Sequence, residues 1–314
     1  MKALLVVTAA LLATSLGFLV ASCGSDGDAT SAGPVPSAGT TTGGTSEEIP
    51  TTGEETTETN PEAETETETE AEASTSNVTF QVFLMNEDGL FVTYRTEQAT
   101  PRVGTAALES LLEGPDSFET GYGLRTAVPD GTQLLGLTID DGIAHVDLTS
   151  EFESGGGSLS MQMRLAQIVY TITQFPTVEG VVFSLDGRPI EVLGGEGVII
   201  DHPLKRRDFA DQMPAILVTS PALNQAVQSP IVLRGSANVF EANVGIQILD
   251  ENGEVIEETF TTATCGTGCR GTFRARVAYE VDHEQEGTIV VHDDDAAGTG
   301  TFPNEVRIPV RLLP

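Results

Sequence analysis

The stretch SLSMQMRLAQIVYTITQF at residues 158–175, followed by VEGVVFSLDG at 178–187, decides the fold class. The first part predicts an amphipathic helix, because apolar residues recur on one face at helical spacing: Met161, Leu165, Ile168, Val169 and Ile172. Ser158 follows three glycines and is predicted to cap this helix rather than to act as a nucleophile. The second part predicts a strand that turns back at Asp186-Gly187.

The sequence on both sides of this helix predicts one more helix and further strands paired as hairpins. Alternating apolar and polar residues around Asp88-Gly89 predict a hairpin over 78–96. A second helical period covers 103–114 and ends at Gly114-Pro115, which is a stop signal. Two further hairpins are predicted at 132–148 and 178–193. Residues 78–195 are therefore predicted to form an α+β layered domain.

The pattern changes after a predicted connector at residues 196–214. Short strand-like runs separated by turn signals fill residues 215–314, with no helical period longer than one turn. About seven short strands in about 100 residues predict an immunoglobulin-like all-β sandwich. The predicted strands are 216–219, 230–237, 243–250, 254–262, 272–281, 287–292 and 304–312.

The N-terminus has the pattern of a bacterial export signal. Lys2 precedes an apolar run from Ala3 to Val20, and the small residues Ala21 and Ser22 stand directly before Cys23. The sequence LVASC at 19–23 resembles the lipobox, and the resemblance implies removal of residues 1–22 and lipidation of Cys23. An uncleaved transmembrane helix is the alternative, because the apolar run is long enough to span a bilayer. Either interpretation places the remainder outside the cytoplasm.

Residues 23–77 are predicted to be a disordered acidic tether. Residues 24–77 contain 13 acidic and no basic residues, and their few apolar side chains are small. The whole chain has 47 acidic against 15 basic residues, a net charge of -32. Such a charge disfavours nucleic acid and anionic lipid headgroups as partners of a basic patch.

Cys265 and Cys269 are the strongest local signal for chemistry. Two cysteines in an exported chain favour a disulfide, which the glycines at 266 and 268 allow to close in a short loop. Free thiols or half of a zinc site are the alternatives. The pattern GxGxxG at 266–271 matches a dinucleotide-binding motif, but no strand–helix–strand unit surrounds it. His283 and His292, with the acidic run 293–295, suggest a cation site only weakly, because their spacing fits no calcium loop.

Two groups of motifs resemble known bacterial families. The first covers about residues 78–195 and is similar to the sporulation and spore germination (GerMN) domain: LLEGP at 111–115, AVPDGTQLLG at 127–136, DGIAHVDL at 141–148, IVYTITQFP at 168–176 and SLDGRP at 184–189. The second resembles the immunoglobulin-like domain of bacterial spore germination: SP at 220–221, SPIVLRGSA at 229–237, VFEA at 239–242, RGTF at 270–273 and IPVRL at 308–312.

This resemblance implies an extracytoplasmic module of the cell envelope, without catalytic, cofactor-binding or metal-binding residues that could be assigned here. We therefore expect a non-enzymatic binding or scaffold lipoprotein. It would be held on the membrane through Cys23 and would engage envelope proteins or peptidoglycan, with no nucleic-acid partner. An envelope enzyme that uses paired carboxyls on glycan, or a lipoprotein that binds a small ligand or metal, are the alternatives.

Overall fold

The computed structural model describes residues 76–195, 197–294, 302 and 304–314. The predicted signal peptide, the lipidation site Cys23 and almost all of the tether lie outside these residues. In the described ranges, no helix combines the length and the apolar character needed to cross a bilayer.

The first domain begins with a long antiparallel hairpin. Strands β1 (Asn77–Met85) and β2 (Leu90–Gln98) pair from end to end, and their turn holds Asp88 and Gly89 as predicted. Helix α1 (Val103–Glu113) ends just before Gly114-Pro115. A short helix that the periodicity did not predict follows, α2 (Ser117–Gly121), and Asp116 caps it through the backbone N–H of Glu119.

A four-stranded sheet and the long helix complete this domain. The elements are β3 (Leu134–Asp140), β4 (Ile143–Leu148), α3 (Ser158–Ile172), β5 (Gly180–Leu185) and β6 (Arg188–Pro189). β4 and β5 are parallel, and α3 crosses between them, whereas the outer strands pair antiparallel in the order β3-β4-β5-β6.

Two local predictions in this region need correction. Ser158 is the first residue of α3, and Gly157 occupies the cap position, so the predicted role of Ser158 as the cap is wrong. The final hairpin at 178–193 is shorter than predicted, because the antiparallel partner of β5 is β6, which is only two residues long. β7 (Val192–Leu193) pairs instead with β8 (Val198–Ile199) across a glycine-rich turn.

Helix α3 is buried on almost every side rather than along a single stripe. Gln167 and Thr171 are fully buried, and both bond the free edge of β1. Gln167 donates to the Phe83 carbonyl at 2.9 Å, and Thr171 accepts from the Phe83 N–H at 3.1 Å. The side chain of Gln174 makes the same pair of bonds with Gln81, at 2.6 and 2.7 Å. Helix side chains thus satisfy a strand edge that would otherwise lie unpaired in the interior.

The second domain is a sandwich of two sheets, which confirms the predicted fold class. The strands are β9 (Ile216–Ser220), β10 (Ala226–Gln228), β11 (Ile231–Ala237), β12 (Asn243–Leu249), β13 (Val255–Thr262), β14 (Gly271–Val277), β15 (Gln285–His292) and β16 (Val306–Leu313). The two sheets have the orders β10-β16-β15-β12-β13 and β14-β11-β9, and their inner faces share one apolar core. β10 is additional to the seven predicted strands, since three residues are too few to show alternation.

The two domains share a packed junction. The segment predicted as the connector contributes buried Ile200, Leu204 and Phe209 to the core of the first domain, and Leu217 of β9 is buried in the same cluster. The Tyr94 hydroxyl of β2 donates to the carbonyl of Thr219. Apolar packing and this hydrogen bond hold the sandwich against the β1–β2 hairpin.

Candidate functional site

A groove with a volume of about 490 Å³ lies in the first domain. Four segments form its walls: the β1–β2 turn, residues 125–127, the first turns of α3 and the end of the connector. Its lining includes the apolar side chains of Leu159 and Met163 and the charged side chains of Arg125, Glu87, Asp88 and Asp211.

The β1–β2 turn is shaped by its own side chains and by the connector. The Asn86 carboxamide oxygen accepts from the Asp88 N–H at 2.9 Å, and the Asn86 N–H donates to the Gly89 carbonyl at 2.9 Å. Gly89 has φ +135, and a Cβ there would collide with the carbonyl of Gln212. Glycine is therefore required for the turn to lie this close to the connector.

The opposite wall is fixed by backbone pairing. Met85 and Arg125 exchange two backbone hydrogen bonds of 2.9 Å each, so residues 125–127 extend the hairpin by one rung. The Ala127 N–H donates to the Gln167 side chain at 2.8 Å, which ties the same segment to α3. The buried Gln167 of α3 thus holds this wall of the groove.

The start of α3 is held by a buried arginine. Arg164 donates to the carbonyls of Phe152 and Ser154 at 2.5 and 3.1 Å, and to that of Gly155 at 3.1 Å. Burial lowers the pKa of its guanidinium, and its Nε is buried without a hydrogen-bond partner among the described residues. Arg164 anchors the loop before α3 and so positions Leu159, whose side chain is 69% exposed.

This arrangement suits binding of an extended segment. The exposed aliphatic side chain of Leu159 beside the buried Met163 offers an apolar contact, and the charged residues of the lining can orient polar groups of a ligand. The helix periodicity did not single out Leu159, because this residue falls outside the apolar stripe. Its place outside the stripe is the feature of the sequence that could have identified it, since an apolar residue off the stripe faces solvent or a partner.

The cysteines and histidines singled out from sequence do not line this groove. Cys265 and Cys269 form a disulfide in the second domain, with their Cα atoms 5.7 Å apart, and the Gly268 N–H donates to Asn238 at 3.0 Å. His292 is buried and stacks on Phe302 with ring centroids 3.6 Å apart, whereas His283 is exposed beside Asp282. Within the described residues, no three His, Cys, Asp or Glu side chains lie close enough together to hold a metal ion.

Comparison with known proteins gives two consecutive family matches. Residues 81–191 match the family described as sporulation and spore germination. Residues 215–299 match the immunoglobulin-like domain of bacterial spore germination. Among curated proteins, no sequence matches the chain significantly.

Several solved structures are similar to parts of the chain. The first GerMN domain of the sporulation protein GerM from Bacillus subtilis is 24% identical with a TM-score of 0.36, and the match covers 42% of this chain and 99% of that one. The tandem GerMN domains of the same protein are 15% identical with a TM-score of 0.38, with coverage of 65% and 62%. A putative lipoprotein from Clostridium perfringens is 23% identical with a TM-score of 0.32, with coverage of 42% and 89%.

The order of the two matched domains is the one that the sequence motifs predict. Residues 81–191 belong to the sporulation and spore germination family, and residues 215–299 belong to the immunoglobulin-like domain of bacterial spore germination.

Proposed function

We propose that the protein is a lipid-anchored binding or scaffold protein on the outer face of the bacterial plasma membrane. Cys23 would carry the lipid, the acidic residues that follow would hold the folded part away from the membrane, and the first domain would bind a partner through its groove. Both matched families are described as sporulation and germination domains, and neither description names an enzymatic activity.

A binding role is supported most directly by the exposed apolar residue at the groove. Leu159 is 69% exposed although it lies on a helix whose later residues are almost all buried. Covering such a side chain with a partner would contribute about 1.5–3 kcal/mol. The partner that fits is an extended segment of an envelope protein, with one aliphatic side chain for this position and polar groups for the charged residues of the groove.

The packed junction supports a scaffold role. Leu217 and the hydrogen bond from Tyr94 to Thr219 join the two domains without a free linker between them. A partner bound at the groove would therefore be held at a fixed distance from surfaces of the second domain. Peptidoglycan is the other envelope partner that this placement would bring within reach.

Site-specific photo-crosslinking in cells tests the groove. A photoreactive amino acid replaces Leu159 in one strain, and in a matched strain it replaces Val255, which is 50% exposed in the second domain. We expect a discrete crosslinked protein from position 159 that is missing from position 255. Identical products from both positions, or no product from position 159, would contradict a binding role for the groove.

A further inference from the structure

Three arginines form an uncompensated basic face in an otherwise acidic protein. Arg234 of β11 and Arg274 of β14 are direct cross-strand partners, and Arg276 lies two residues further along β14. All three are exposed, and the residues between them point into the core, so the three side chains share the outer face of the β14-β11-β9 sheet. We call this set the arginine face.

The arginine face lacks the ion pairs that neutralise other arginines. In the described ranges, the arginines that pair with a carboxylate are Arg95, Arg207, Arg307 and Arg311. Like charges directly opposite each other on a sheet are destabilising. The sequence from residue 78 onward has 34 acidic and 14 basic residues, so carboxylates are abundant. Among the residues that the structure describes, however, no carboxylate lies at ion-pair distance from these three guanidinium groups.

The geometry points to a ligand with tetrahedral anionic groups. Directly opposed residues have their Cβ atoms about 5 Å apart, so two guanidinium groups can clamp one phosphate from two sides. A planar carboxylate is already satisfied by the fork of a single arginine. Arg276 adds a third cation about 7 Å further along the strand. A second negative group could bind there if the ligand is a chain of repeating charges.

We propose that the arginine face binds a linear polyol-phosphate polymer of the cell envelope. The acidic remainder of the protein does not forbid this contact, because salt at physiological strength screens charges beyond about 8 Å. The binding step is argued from the second domain alone. The identification of the polymer as an envelope component rests on the proposed extracytoplasmic location.

Fluorescence anisotropy with the full chain and a labelled poly(glycerol phosphate) of about ten repeats tests the proposal. The double variant Arg234→Gln and Arg274→Gln should weaken binding at least tenfold and reduce the salt dependence by about two charges. The matched control, Arg102→Gln with Arg188→Gln, removes the same charge at exposed positions of the first domain and should change binding less than twofold. Circular dichroism melts establish that both double variants fold.

Three results would overturn the proposal: no binding by the natural chain, an equal loss in the control variant, or equally tight binding of poly-L-glutamate of the same length. Because the assay uses purified protein and a defined polymer, its outcome is independent of the groove and of lipidation at Cys23. A negative result in the anisotropy assay would not contradict the proposed function of the groove. A negative result in the crosslinking experiment would likewise not contradict polymer binding by the arginine face.

Discussion

Replacement of Glu119 by Gln tests the energetics of the first domain most sharply. The Glu119 side chain is 4% exposed and accepts two bonds from the Arg95 guanidinium, at 2.7 and 2.8 Å. It also accepts from the Thr93 hydroxyl at 2.5 Å and from the Asp116 N–H at 2.8 Å. Burial by itself would raise the pKa of Glu119, but the hydrogen bonds from Arg95, Thr93 and Asp116 outweigh it and lower the pKa below 4.5.

Gln keeps the shape of the side chain but removes the charge and turns one acceptor into a donor that faces Arg95. Breaking a buried ion pair by changing one partner costs about 3–5 kcal/mol. The Arg95 side chain is 20% exposed, so water recovers part of that cost. We therefore expect a loss of about 2–3 kcal/mol in the free energy of unfolding, or about 4–12 °C in melting temperature.

Urea unfolding followed by circular dichroism measures this loss. The control is Glu109→Gln, at an exposed position of α1, which should stay within about 0.5 kcal/mol of the natural chain. A double-mutant cycle with Arg95→Met isolates the pair. A loss below 1 kcal/mol for the Glu119 variant, or a coupling energy near zero, would refute the argument that this buried network stabilises the domain.

Three further outcomes are expected. Folding lowers the pKa of Glu119, so the stability that its charged form contributes is present above its ordinary pKa of 4.5 and is lost as the pH falls through the lower folded value. Urea unfolding should therefore show a difference in unfolding free energy between the natural chain and Glu119→Gln that shrinks in acid. An unchanged difference at low pH would exclude this linkage. Gly89→Ala should lower the free energy of unfolding by about 1–3 kcal/mol and increase proteolysis at residues 212–215. The control Gly253→Ala should lower it less, because Gly253 also has a positive φ, +78, but no neighbour within 4 Å. Equal effects of the two variants would show that the collision with Gln212 is unimportant. Replacing Cys265 and Cys269 by Ser should lower the unfolding free energy by about 2 kcal/mol, the closure entropy of a five-residue loop, with thermal melts as the measurement; unchanged melts would contradict this entropy estimate.

The fold class was predictable because the apolar periods are long and regular. In α3 and in the alternating strands of the sandwich, the spacing of the apolar residues predicts which face is buried. The edge bonds from Gln167 and Thr171 were not predictable, because a polar residue between apolar ones gives no sign of which backbone it will satisfy. The strands β7 and β8 are two residues each and depend on the turn between them rather than on any period.

The candidate sites were harder to predict than the fold. The groove combines four segments from 85 to 212, so no local motif contains it. The arginine face could be predicted in part from the sequence, since RAR at 274–276 places two arginines on one side of a predicted strand. Its third member, Arg234, joins them only through the β11–β14 register, which the sequence does not specify. The pairing of Cys265 with Cys269 could be predicted because both residues lie in one short loop.

Metabolic labelling with a radioactive fatty acid tests the anchored location most directly. Cells produce the natural chain or a Cys23→Ala variant, and membranes are separated from the soluble fraction before the protein is recovered. We predict that the natural chain incorporates label and fractionates with membranes, and that the variant loses the label and has a different N-terminal mass. Equal membrane fractionation and identical mass for both forms would contradict the lipid-anchored account.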